Sequence, residues 1–189
     1  MVRFQKKVES LGVKTFATFV PATTHVVASK RNTAIGLQAL VNGRHIVTES
    51  YLDAVATVAS TTPDGKQSAL EQDFDKNWPN PEEFLPPSNN EPGNRSPDFY
   101  RPNRERSGLF EGYTFVFCEA LQYDNFLGPI TDAHGKLELF NLQPGETTAE
   151  DLVQFVRKRG RETDVAIVRF RGKKDPEWEN QLSTRVQEM

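Results

Sequence analysis

The chain has 189 residues, is 37% hydrophobic and 26% charged, and carries a formal net charge of −3. That length allows one large or two small domains with real cores, and the slight negative charge argues against nucleic-acid binding by the chain as a whole. The single cysteine, Cys118, excludes an intrachain disulfide and a cysteine-based zinc site and fits a reducing compartment, nucleus or cytosol, and no apolar run approaches the roughly 18 residues that span a bilayer.

The opening MVRFQKKVES reads as an amphipathic helix rather than a signal peptide, because no uninterrupted apolar core follows its charges. Phe4, Val8 and Leu11 fall on one face, and Gly12 suits the helix C-terminus. Lys14 to Val20 (KTFATFV) is rich in β-formers and predicts a strand that Pro21 ends. His25 to Ala28 (HVVA) predicts a second strand, apolar enough to be buried on both faces as in a parallel sheet. A helix over Asn32 to Val41 follows, with Ile35, Leu37, Leu40 and Val41 inward, and Asn42-Gly43 stops it. Arg44 to Val47 is a third strand, and Thr48 caps a helix carrying Tyr51, Leu52, Val55 and Val58. The alternation implies a small α/β unit with a parallel sheet.

From Thr61 to about Gly108 the composition changes to Pro, Ser, Asn and Glu, which predicts a proline-rich linker. Phe74, Trp78, Phe84, Leu85, Phe99 and Tyr100 are too many large apolar groups for a free linker, so partial docking is expected. Trp78 suits either a partner surface or an intramolecular groove between the two units. The intramolecular role is favoured, since Pro79 and Pro81 stiffen the chain around it.

A second unit begins with a strand over Tyr113 to Cys118 (YTFVFC). A short helix holding Tyr123, Phe126 and Leu127 should end before Pro129. Asp132-Ala133-His134-Gly135 reads as a turn into a strand over Lys136 to Phe140. Thr147-Thr148-Ala149-Glu150 has the form of a capping box, and Leu152, Val153, Phe155 and Val156 form the face of the helix behind it, which Gly160 ends. A strand over Val165 to Phe170 and a helix opened by Asp175-Pro176, with Trp178, Leu182, Val186 and Met189 on its apolar side, follow.

The strand Thr24-His25-Val26-Val27-Ala28-Ser29, the helix to Asn42-Gly43, the strand Arg44-His45-Ile46-Val47-Thr48 and the helix with Tyr51 together resemble a BRCT repeat, with Thr24, His25, Gly43 and Tyr51 as its core fingerprint. The stretches ASKRNTAIGLQALVNGRHIVTESYLDA, EQDFDKNWPNPEEFLPP, FEGYTFVF and PGETTAEDLV are similar, linker included, to the tandem BRCT region of the nibrin family in its fungal form. The resemblance implies an α/β fold of two BRCT-like repeats, residues 1–60 and 109–189, joined by a linker over 61–108. The first repeat reads as lacking its opening strand and the second its last strand and helix. It further implies a nuclear, non-enzymatic adaptor of the MRN double-strand-break complex that supports checkpoint signalling. Its partners would be the MRN nuclease and ATPase subunits, reached through regions outside this chain, and Ser/Thr-phosphorylated repair or chromatin proteins, with no cofactor, no metal and only indirect DNA contact.

The family's phosphate-binding lysine falls at Ile35, which cannot make a charge-assisted contact. Lys30 and Arg31 are the basic residues near enough to hold a phosphate in its place; a solvated basic pair is the plainer alternative. His25 sits in a buried strand pattern and suits a structural role, as does Cys118; the three histidines are scattered in sequence. Glu150, Asp151 and Asp164 lie at ordinary element boundaries, and no nucleophile elbow, phosphate loop, zinc-helix or dinucleotide motif is present, so no catalytic residues are expected. A DNA-end-binding module of another BRCT-containing repair protein is the alternative, motivated by the basic first unit.

Overall fold

The computed structural model describes residues 2–60, 64–88, 91, 93, 95–143, 146–159, 164–168, 180–182, 184 and 185. The amphipathic start forms helix α1, Val2–Glu9, whose Val8 is buried. Gly12, at φ +85°, lets the chain turn so that the Val13 amide returns to the Val8 carbonyl. The expected strand over Lys14 to Val20 does not form. A β-former becomes a strand only where an edge receives it. Here Phe19 packs onto the core from an irregular stretch while Phe16 stays 55% exposed.

Strand β1, His25–Val27, and strand β2, His45–Val47, lie parallel in one-to-one register, His25 beside His45. Between them runs helix α2, Ala34–Val41, capped by the Thr33 hydroxyl, which accepts from the Gly36 amide at 3.2 Å. Helix α3, Glu49–Val58, follows β2. Thr48 stands at its N-cap position, but its hydroxyl turns to Ser50, at 2.7 Å, and makes no cap bond. Both faces of this short sheet are covered, as the apolar strand HVVA suggested. Val26 and Ile46 meet Ala39, Ile35 and Leu40 of α2 on one side, and Val27 and Val47 meet Tyr51, Val55 and Leu52 of α3 on the other.

The proline-rich stretch carries two single-turn helices, α4 (Ala69–Gln72) and α5 (Phe74–Asn77), and 3-10 turns at Pro81–Phe84, Pro97–Tyr100 and Arg104–Gly108. The chain divides into two compact units, Met1–Arg104 and Glu105–Met189, so most of this stretch belongs to the first. Trp78 and Phe84 join the Val47–Tyr51–Val55 cluster, Leu85 joins the Val26 cluster, and Pro86 and Tyr100 are buried. The Phe84 carbonyl accepts from the Thr48 amide at 2.8 Å. Trp78 therefore serves the core of the first unit, stacked on Phe74 at 5.0 Å.

In the second unit, strand β3, Tyr113–Phe117, is followed by helix α6, Ala120–Asp132. The helix runs through Pro129 instead of ending before it. Proline removes one helical hydrogen bond there, and burial of its ring inside the unit accompanies the continued turn. Strand β4, Lys136–Leu139, helix α7, Ala149–Arg159, and strand β5, Asp164–Ile167, complete the described elements, in a parallel sheet of order β4-β3-β5. The capping box lies one residue beyond its predicted place. The Thr148 hydroxyl accepts from the Asp151 amide, and the Asp151 carboxylate accepts from the Thr148 amide. Thr147 instead receives the Gln143 amide at 2.8 Å.

One face of the sheet packs Val116 against Ala149, Leu152 and Leu182; the other sets Phe117 against Phe126 and Tyr123 of α6. The helix opened by Asp175-Pro176 lies at its start outside the described residues; residues 180–182, 184 and 185 are helical.

Candidate functional site

The turn that leads from β1 into α2 holds both predicted phosphate-binding residues. It is drawn tight by the Thr33 hydroxyl, and Gly36 leaves room for it: a Cβ at Gly36 would come within 2.5 Å of the Arg31 carbonyl oxygen. The turn sends its two basic side chains to different environments. Lys30 is exposed. Arg31 is only 8% exposed and points into the proline-rich stretch, where its Nε donates to Glu91 Oε1 at 2.9 Å. The guanidinium carbon stands 4.4 Å from the centroid of the Tyr100 ring, and the Tyr100 hydroxyl donates to Glu91 Oε2 at 2.7 Å. Each oxygen of the Glu91 carboxylate thus has its own donor. Desolvation pushes the Glu91 carboxyl up, yet the Tyr100 hydroxyl and Arg31 together hold it below the usual carboxylate value. Arg31 is therefore neither a free cation nor a solvated one. Ile35, where the resemblance led one to expect a phosphate-binding lysine, packs into the Val26 core cluster.

Of the four residues expected as a core fingerprint, Thr24, His25 and Tyr51 meet at the sheet, together with His45. His25 and His45 stack at 5.0 Å between ring centroids, and Tyr51 also stacks on His25, at 5.1 Å, its hydroxyl 3.2 Å from His25 Nε2. The Thr24 hydroxyl is 3.0 Å from His25 Nδ1, and its carbonyl accepts from the His45 amide. Burial, with His45 beside it, pushes His25 down to about 4; burial also lowers His45, against the pull of Glu82. Burial raises the Tyr51 hydroxyl. Burial thus favours the uncharged form of both imidazoles and of the phenol. Phe84 closes it edge-on to Tyr51 at 5.4 Å. Gly43 has φ +60°, and a Cβ there would meet the Asn103 carbonyl at 3.0 Å, so the fingerprint glycine both turns the chain and admits the backbone of the proline-rich stretch.

Sequence reasoning treated His25 and His45 as separate. The signal was present: both strands read His followed by two β-branched residues, so one-to-one pairing sets the two rings side by side. Tyr100 was legible as an aromatic anchor, but nothing near Glu91 marks it as the partner of Arg31. The remaining candidates do not form a site. Cys118 is packed in the core of the second unit, its thiol pushed up to about 11 by burial. His134 is exposed in a turn at φ +63°. Asp151 serves the cap of α7, and Glu150 pairs with Arg185 at 2.6 Å. Among the described residues no three His, Cys, Asp or Glu side chains meet as a metal ion would require, and no helix is long and apolar enough to cross a membrane.

Residues 104–189 match the family model described as the second BRCT domain on Nijmegen syndrome breakage protein. The match begins one residue before the second compact unit, Glu105–Met189, and ends with it. It likens the second unit to that BRCT domain, and the small parallel sheets flanked by helices are consistent with the BRCT fold. BRCT domains are in general non-enzymatic modules for protein interaction.

Proposed function

We propose that this chain is the tandem BRCT region of a fungal nibrin: an adaptor of the MRN complex in double-strand-break repair and checkpoint signalling, whose task is to recognise Ser/Thr-phosphorylated repair or chromatin proteins in the nucleus. The observation that carries the reading is the family match over the second unit. It is supported by a first unit in which a parallel sheet is likewise covered by helices on both faces. The MRN nuclease and ATPase subunits are reached through other parts of the parent protein, and DNA contact is indirect.

Fluorescence anisotropy with paired peptides tests this, one phosphorylated on serine and one not. The phosphorylated peptide is expected to bind at least ~10-fold more tightly, the discrimination that one charge-assisted phosphate contact brings. Equal affinity for both peptides sinks phosphoprotein recognition. Tight binding to duplex DNA ends that weakens steeply with salt would favour the DNA-end-binding module instead.

A further inference from the structure

Arg31, Glu91 and Tyr100 form a small, fully paired cluster whose acid comes from 60 residues away in the chain. Its two donors are arranged as a receptor for an oxyanion. The Tyr100 ring lies 4.4 Å from the guanidinium carbon and orients it, and one donor from each residue meets a different carboxylate oxygen. Arg95 is the second basic group acting on the cluster: it helps Arg31 to lower the Glu91 carboxyl. The occupant carries one negative charge. A phosphate monoester carries about −1.5 to −2 at pH 7 and three acceptor oxygens, so it is the stronger ligand for the same donors. Glu91 competes by being tethered: an intramolecular ligand acts at an effective concentration on the order of millimolar.

We infer that Arg31 and Tyr100 form an oxyanion receptor that Glu91 fills from within the chain, and that a phosphorylated serine or threonine side chain displaces Glu91 from it. This names the regulation of the phosphoprotein site proposed above and rests on that reading. Glu91 keeps the receptor closed to weak anions and sets a threshold that a phosphorylated partner must exceed.

The experiment follows the Nε–Hε resonance of Arg31 by NMR in the full chain during titration with inorganic phosphate and with the Ser-phosphorylated peptide. Wild type is compared with Glu91→Gln, which removes the competing charge and keeps the side-chain shape. The concentration giving half the shift is expected to fall at least ~10-fold in Glu91→Gln, and Tyr100→Phe in the same background to reverse part of that gain. Glu91→Asp, which retracts the carboxylate by one methylene, provides an intermediate response should Glu91→Gln not fold. Equal titration of wild type and variant overturns the competition by Glu91 and leaves phosphoprotein recognition standing. An Arg31 resonance that answers neither probe in a folded variant overturns the receptor, and the anisotropy assay then reports separately whether the peptide binds elsewhere.

Discussion

Strands β1 and β2 have three residues each, and among the described residues they pair only with one another; β3 has five and is flanked on both sides by β4 and β5. The second unit covers its sheet with its own helices: Val116 and Leu152 on one face, Phe117 with Phe126 and Tyr123 on the other. The first unit draws on a later stretch of chain. Trp78, Phe84 and Leu85 complete its clusters, the Phe84 carbonyl meets the Thr48 amide, and Glu91 pairs with Arg31. A six-residue sheet buries little apolar surface, so polar and aromatic contacts with the proline-rich stretch supply what the longer sheet obtains from burial. The same stretch thereby becomes part of the candidate site.

Four experiments would break or sharpen this contrast. Phe117→Ala removes a ring with no exposure from the second unit and should cost about 3–5 kcal/mol, read as a lower denaturation midpoint; a change confined to the first unit would contradict its place in the second core. Acid should act first on the first unit. Burial holds His25 at about 4 in the folded chain, below the usual imidazole value of 6.5, so the unfolded chain binds more protons between those values. Its contribution is therefore full above pH 6.5 and is lost as pH falls toward 4, by at most about 3 kcal/mol. Denaturation followed across that range should show the loss, and His25→Asn should flatten it.

Tyr100→Phe deletes a hydrogen bond to a carboxylate, and about 1.5–3 kcal/mol of stability should go with it. Hydrogen exchange at Arg31 and its neighbours should rise while amides of β3 stay protected. The smallest effect is expected from Thr33→Ala, which removes the cap of α2 and should lower stability by about 1 kcal/mol, measurable as a shift in thermal midpoint.

Much of the architecture was legible in local pattern. The paired β-branched residues of 25–28 and 44–47, the stop at Asn42-Gly43, and the run YTFVFC mark elements whose periodicity and turn chemistry act over a few residues. Where local pattern failed, a long-range partner decided. Lys14 to Val20 has strand composition but pairs with no strand, and Pro129 is accommodated inside a helix where its ring is buried. The capping box moved from Thr147 to Thr148 because the Thr147 hydroxyl is held by the Gln143 amide.

The sequence by itself determined the α/β character, the positions of most helices and strands, the lack of a recognisable catalytic motif, and the BRCT likeness, all of which follow from residue types at short spacing. Only the tertiary structure decided that Arg31 faces Glu91 and Tyr100 while Lys30 faces solvent, and that His25, His45 and Tyr51 form one stack. Those contacts join residues tens of positions apart, and their geometry follows from sheet register and from where the proline-rich stretch docks, neither of which is encoded at the spacing of a turn or a helix face.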